Sequence, residues 1–309
     1  MSNPDAYQEL AQVFKTRGNQ VLEIEIIPSS LGSFLQDGNA VGTSKKTLVA
    51  AYTVARQLFG NLQPGDFSQP AITEIMLLFD CEHLTACNWR KRRLKAAMAA
   101  PGFSQDLLQA ELTLMTSYQC SPLHRHTKSP TLWHHRLWVL GHLLQMRSHS
   151  PQDLLDLLKS ELEGVLRAGE LHPRNYYAFS YMRQLSVLLI DSGAHWDSLT
   201  IDRIVDWCLA NPRDISGWSF AVYVLGSSTQ QSQVQALEKV ARFALGVGWE
   251  GESLWTFIAQ SAQRFGLEAS LERMLIPEKT DTIHEAIPDG SRWSTWLKLA
   301  RAYWAHNGR

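Results

Sequence analysis

The sequence predicts an all-α protein built as an α–α superhelix, a crescent-shaped solenoid of antiparallel helical hairpins. Three observations point there. Apolar residues recur at helical spacing from about residue 46 onward, whereas alternating strand patterns are confined to short pieces such as Val21 to Ile27. Glycine and proline stop signals cut the chain into short helices with short connectors, which pack antiparallel. An aromatic residue followed by polar and basic ones returns every 37 to 46 positions: Trp133, Phe179, Trp218, Trp255.

Taken in chain order, residues 1–48 read as an N-terminal extension, a helix and a possible strand followed by a Gly- and Ser-rich loop from Pro28 to Lys45. Residues 49–276 read as the repeat array. The segment from Ser150 shows how its helices are specified: Ser150 caps, Pro151 fits the first turn, Asp153 completes a capping box, and Leu154, Leu155, Leu157, Leu158, Leu162, Val165 and Leu166 form a stripe that Gly169 ends. Further stops fall at Pro101-Gly102, His172-Pro173, Ser192-Gly193, Asn211-Pro212 and Gly246 to Gly248. Residues 277–309 read as a loop, Pro277 to Asp289, and a capping helix. A unit with a period near 40 cannot bury its apolar face alone and must stack on its neighbours, as in TPR-like arrays.

The 309 residues are 45% apolar, enough for a large core, and the 29 Lys plus Arg balance 30 Asp plus Glu. That balance gives no broad footprint for nucleic acid or anionic membrane. Cys81, Cys87, Cys120 and Cys208 are few and far apart, which fits a reducing compartment. With no signal-peptide pattern and no run of 18 apolar residues, the expected location is cytoplasmic, with no membrane span. The ending His306-Asn307-Gly308-Arg309 is not a C-a-a-X box, so the chain is not expected to be a prenylation substrate itself. P-loop, dinucleotide, nucleophile-elbow, H-E-x-x-H and Asp-Asp-x-x-Asp patterns are absent from the sequence.

The copies resemble the Asn-Tyr-x-x-Trp-x-x-Arg-Arg repeat of protein farnesyl- and geranylgeranyltransferase α subunits. Lys128 to Leu140 looks like the second copy, His172 to Tyr181 the third, and Asn211 to Trp218 the fourth. Leu84 to Leu94 looks like the first, with Cys87 or Trp89 at the Trp position. The Asp-x-Ser-Gly-aromatic phrase at Asp214 to Trp218 and Ile26-Ile27-Pro28 place the resemblance nearest a branch of repeat-containing proteins distinct from the farnesyltransferase subunit itself. The resemblance implies a heterodimer. The expected partner is a β-type subunit holding zinc, with isoprenyl diphosphate as co-substrate and a protein with a C-terminal cysteine as acceptor, while this chain holds no cofactor and binds no nucleic acid. Matched to the third repeat, Arg174 takes a Lys position and Tyr176 the Tyr position, a cation and a phenol that would stabilise charge on departing diphosphate. Arg for Lys is a departure, since a planar fork and a point charge differ at a phosphate. Pro130 and Ile215 replace Tyr in the second and fourth copies.

On the same basis the partner-facing groove is expected to include Lys128, His134, His135, Arg136, His172, Asn175, Tyr177, Arg183, Arg213 and Asp214, and the repeat core Trp89, Trp133, Phe179, Trp218 and Trp255. The residues themselves also allow structural roles: Arg136 and Arg183 ordering the next repeat through an acidic group, and Cys87 as a small apolar filler. Neighbouring His134 and His135 point about 100° apart, and His124, His126 and His142 lack a ligand spacing, so no metal site is expected. The run Arg90, Lys91, Arg92, Arg93 and Lys95 reads as a solvated helix face or a contact for an acidic partner or phosphate. Beside the subunit reading stand a non-catalytic helical scaffold and a small-molecule enzyme reusing the repeat groove.

Overall fold

The computed structural model describes residues 3–146, 149–191, 195–275 and 292–307. The expected stop at Ser192-Gly193 and the loop from Pro277 to Asp289 lie outside these. The described chain is all-α apart from one small sheet, and it divides into two compact units, Met1–Leu154 with Ser160–Leu185, and Leu155–Lys159 with Ser186–Arg309.

The first unit begins with α1 (Asn3–Thr16), β1 (Glu23–Ile27), β2 (Phe34–Asp37), β3 (Ala40–Ser44) and α2 (Lys45–Asn61). The Gly- and Ser-rich stretch read as one loop from Pro28 to Lys45 instead contains a hairpin. Gly38, at φ 57°, supplies the positive φ of a two-residue turn, and Phe34 pairs with Thr43 across it. β3 also runs parallel to β1, giving the order β1-β3-β2. The outer edge of β1 is closed by hydroxyls: the Leu22 and Ile24 amides donate to Ser117 and Ser121 at 2.9 and 2.8 Å. Those serines lie on a later helix, Asp106–Gln119, or just past its end. α3 (Pro70–Phe79), α4 (Leu84–Met98), α5 (Asp106–Gln119), α6 (Pro130–Gln145), α7 (Pro151–Leu171) and α8 (Tyr176–Ile190) follow, and α8 leads into the second unit.

α7 carries the expected Ser150–Asp153 capping box, and Leu154, Leu158, Leu162, Val165 and Leu166 are buried. Gly169 does not end it. The helix runs on to Leu171, since a buried glycine inside a well-packed helix costs only about 1 kcal/mol relative to alanine. The second unit adds α9 (Ser198–Ala210), α10 (Ile215–Leu225), α11 (Gln230–Gly246), α12 (Glu252–Phe265), α13 (Glu268–Leu275) and α14 (Arg292–Asn307). Gly266, left-handed at φ 65°, closes α12. α14 docks on α12 with Trp304 Nε1 donating to the Ala259 carbonyl at 2.9 Å.

Capping fixes the register of the repeat. His83, Ser129, Asn175 and Asp214 each precede a helix, and each side chain accepts a backbone N–H from the first turn, at 3.2, 3.1, 3.2 and 2.9 Å. Four residues after each cap comes a buried wedge: Cys87, Trp133, Phe179, Trp218, and Trp255 after Gly251. The three tryptophans are held identically, each indole N–H donating to the carbonyl six residues earlier (Thr127, Pro212, Trp249) at 2.8, 3.0 and 2.8 Å. This register decides between the two readings of the first copy and leaves both residues in the core. Cys87 holds the wedge position and Trp89 lies two residues beyond it, buried edge-on against Phe67 with ring centres 5.3 Å apart.

Candidate partner-binding face

Within the first unit the repeats are joined by the same side chains twice. Arg90, three residues past its wedge, grips Glu111 of α5 with Nε and Nη2 at 2.7 and 2.6 Å, and His135 of α6 reaches the same carboxylate at 2.7 Å. One repeat later Arg136 grips Glu161 of α7 at 2.7 and 2.6 Å, and the Tyr181 hydroxyl of α8 donates to it. Such two-pronged pairs are the strong kind, and every member is buried. The wedge of one copy meets the residue two past the wedge of the next: Trp133 lies against Tyr181 at 4.9 Å, and in the second unit Trp218 against Phe257 at 4.7 Å. At the first joint Cys87 and His135 hold those places.

The electrostatics follow from burial and from the groups packed alongside. Burial alone would raise Glu111, yet Arg90 and His135 hold its carboxyl far below the usual range. Burial alone would lower His135, but the adjoining Cys87 and Glu111 raise it to about 9. His126, buried and donating from Nε2 to the Leu77 carbonyl at 2.9 Å, is pushed down to about 4 by desolvation.

These positions redistribute the expected groove residues. His135, Arg136, Asn175 and Asp214 are inside the fold rather than on a groove surface, because each satisfies a buried carboxylate or an open helix end that solvent cannot reach. Asn175 also donates to the Thr127 carbonyl at 2.7 Å. Arg183 is half-buried one residue past the place where Arg90 and Arg136 sit; Met182 occupies that place, fully buried. His172 is half-buried with Nδ1 at 2.9 Å from the Thr127 hydroxyl. Arg213 and Asp214, with Trp218 and Trp255, belong to the second unit, where Arg213 lies 6.0 Å from the Trp249 ring.

The exposed candidates cluster at the entrances of α6 and α8. Lys128 and Arg174 each stand one residue before a cap, and Lys128 Nζ donates to the Pro173 carbonyl at 2.9 Å. Arg174 is exposed and is the only non-glycine at positive φ, 60°, among the described residues. Such strain persists only where surroundings impose it. Tyr176 and Tyr177 project edge to face, 5.6 Å apart, and are 64% and 43% exposed, so both phenols are available to a partner. With His134, Leu137 and Ser180 they rim a cavity of about 170 Å³ floored by Trp133 and Tyr181. His172 and Arg174 do not line it. Glu111, Glu161 and Tyr181 were not singled out in the sequence. Their signal exists only after the caps are aligned, when each Arg finds a glutamate 21 or 25 residues ahead on the next helix.

The fold defines an all-α helical-repeat protein, and two likenesses to known proteins fall on its repeats. The family described as the ECM9 middle domain matches residues 132–246, covering α6 to α11 apart from the first residues of α6. The chain is similar to protein prenyltransferase alpha subunit repeat-containing protein 1 of Danio rerio, 32% identical over 123 residues, which is 36% of this chain and 26% of the relative. The match thus spans about a quarter of that relative's length. Among the described residues no helix is long and apolar enough to cross a membrane, and no group of three or more His, Cys, Asp or Glu is placed to hold a metal ion.

Proposed function

We propose that this chain is an α-type component of a protein prenyltransferase, a scaffold for a β-type catalytic subunit that transfers a farnesyl or geranylgeranyl group to a protein cysteine. The observation that carries the reading is the entrance of α8, where an exposed tyrosine and a backbone-strained arginine stand beside a capping asparagine in the order of the α-subunit repeat. In this reading zinc belongs to the β-type partner, isoprenyl diphosphate is the co-substrate, and Arg174 and Tyr176 touch the departing diphosphate as cation and hydrogen-bond donor. Four cysteines without disulfide partners support a cytoplasmic setting.

The test is co-expression with β-type subunits, with the mass of the purified complex measured and isoprenoid transfer to a cysteine peptide assayed. Arg174→Ala and Tyr176→Phe are each expected to lower transfer about tenfold or more while leaving the complex intact. Absence of any complex at micromolar concentration removes the reading. A pure scaffold is the second reading, favoured by Pro130 and Ile215 at the tyrosine positions of the flanking copies; it requires both substitutions to be silent. A small-molecule enzyme that reuses the repeat groove is disfavoured by the small, open α6–α8 cavity, which is below the roughly 300 Å³ of ligand pockets.

A further inference from the structure

Acidic residues are absent from one set of helices. α4, α6 and α8 contain no Asp or Glu, while α5 and α7, which alternate with them, carry Asp106, Glu111, Asp153, Asp156, Glu161, Glu163 and Glu170. α4 instead carries five cations. Arg90 is consumed by Glu111, but Lys91, Arg92 and Lys95 have no carboxylate within ion-pair distance among the described residues. They are positioned all the same. Lys91 and Lys95, one turn apart, both reach over the half-buried Trp138 of α6, with Nζ 5.5 and 6.0 Å from the ring centre, and His142, one turn further along the same face of α6, meets that ring edge-on at 4.5 Å.

Trp138 links this patch to the cavity. His134, Trp138 and His142 follow at four-residue steps along α6. The cations of α4 flank that stripe through Trp138, and the cavity shared with α8 opens at His134 and Leu137. The face therefore offers fixed positive charge beside an aromatic hollow of about 170 Å³, a size suited to one side chain rather than to a whole ligand. We propose that α4, α6 and the first half of α8 form a docking surface for an acidic polypeptide segment, whose aromatic or aliphatic anchor enters the α6–α8 cavity while its carboxylates meet Lys91, Arg92, Lys95 and His134.

Charge complementarity selects a peptide over nucleic acid. Lys91 to Lys95 spans only about 6 Å of helix, too short to track a phosphate backbone, and the near-neutral chain exerts no long-range pull on one. A bilayer would not use the hollow. The inference rests on the scaffold reading only in taking this face as open to a partner.

The test uses the full chain and a short fluorescein-labelled peptide of alternating Asp and Glu around a central Phe-Leu pair, followed by anisotropy. Binding is expected that weakens about tenfold or more in Lys91→Glu/Lys95→Glu, and similarly in Tyr177→Ser, with a steep loss at high salt for the wild type. All three side chains are at least partly exposed, and unchanged thermal midpoints show that the variants remain folded. Absence of peptide binding by the folded wild type overturns the proposal, as does binding indifferent to both variants. Tighter binding of a single-stranded oligonucleotide or of phosphatidylserine-rich vesicles through the same lysines also overturns it. A wild-type chain that captures a β-type subunit yet ignores the peptide removes this proposal alone. Peptide binding that depends on the lysines, with no β-type subunit captured, keeps it and removes the subunit reading.

Discussion

Two histidines in the first unit are displaced in opposite directions, and pH tests them separately. His135 is raised to about 9 in the fold, so its protonated form stabilises the native state fully below about pH 6.5 and that contribution fades as pH climbs through 9. His126 is lowered to about 4, so its neutral form stabilises above about pH 6.5, and the contribution is lost as pH falls toward 4. Each is worth on the order of 3 kcal/mol. Urea unfolding across this range should show His135→Gln flattening the alkaline limb and His126→Gln the acid limb. At the second joint, Arg136→Met strands Glu161 as a buried charge and should cost about 3–5 kcal/mol, whereas adding Glu161→Leu in the same chain should recover much of it. Equal losses in the single and double variants would contradict that account. None of these side chains could have been paired from the sequence, because the partner of each lies on a different helix and buried charge carries no periodic signal.

Elements were more legible. Caps, proline and glycine stops, and the stripe of α7 act locally, so the sequence displays them. The hairpin from β2 to β3 was hidden because Gly38 lies among other glycines and serines, and Gly169 misled because packing outweighs a modest local preference. The Asp-x-Ser-Gly-aromatic phrase, read as a family mark, has a mechanical basis: a Cβ on Gly217 would sit 2.4 Å from Trp207 Cζ3, so α9 and α10 touch through a missing side chain. Gly217→Ala should therefore destabilise by about 1–3 kcal/mol despite the better helix propensity of alanine. Asp214→Ala, which opens two first-turn amides, should cost about 1 kcal/mol. Chemical denaturation of each variant measures both, and a stabilised Gly217→Ala would refute the contact.

At the scale of the molecule three of the four capped copies leave the same position uncovered. The residue directly after the cap is 63% exposed at Leu84, 64% at Tyr176 and 57% at Ile215, apolar or aromatic each time, while Pro130 of the second copy is half-buried. Replacing Leu84 and Tyr176 of the first unit by serine should change the unfolding free energy by no more than about 0.5 kcal/mol per site yet abolish capture of a partner. Retained capture would show that the partner lies elsewhere. The order of the copies made the repeat architecture readable from sequence, while the division into two units was not, since nothing local marks the boundary near Leu185.

Phe179 differs from the other late wedges in lacking the indole ring and its N–H donor, and that omission reaches the neighbouring repeat. With no indole to claim it, the Pro173 carbonyl is left to Lys128, so the turn displaying Arg174 is moored from the preceding copy. Installing tryptophan at 179 would let the third copy tie its own knot and cut that mooring, making the poise of Arg174 adjustable by one ring swapped some distance behind it.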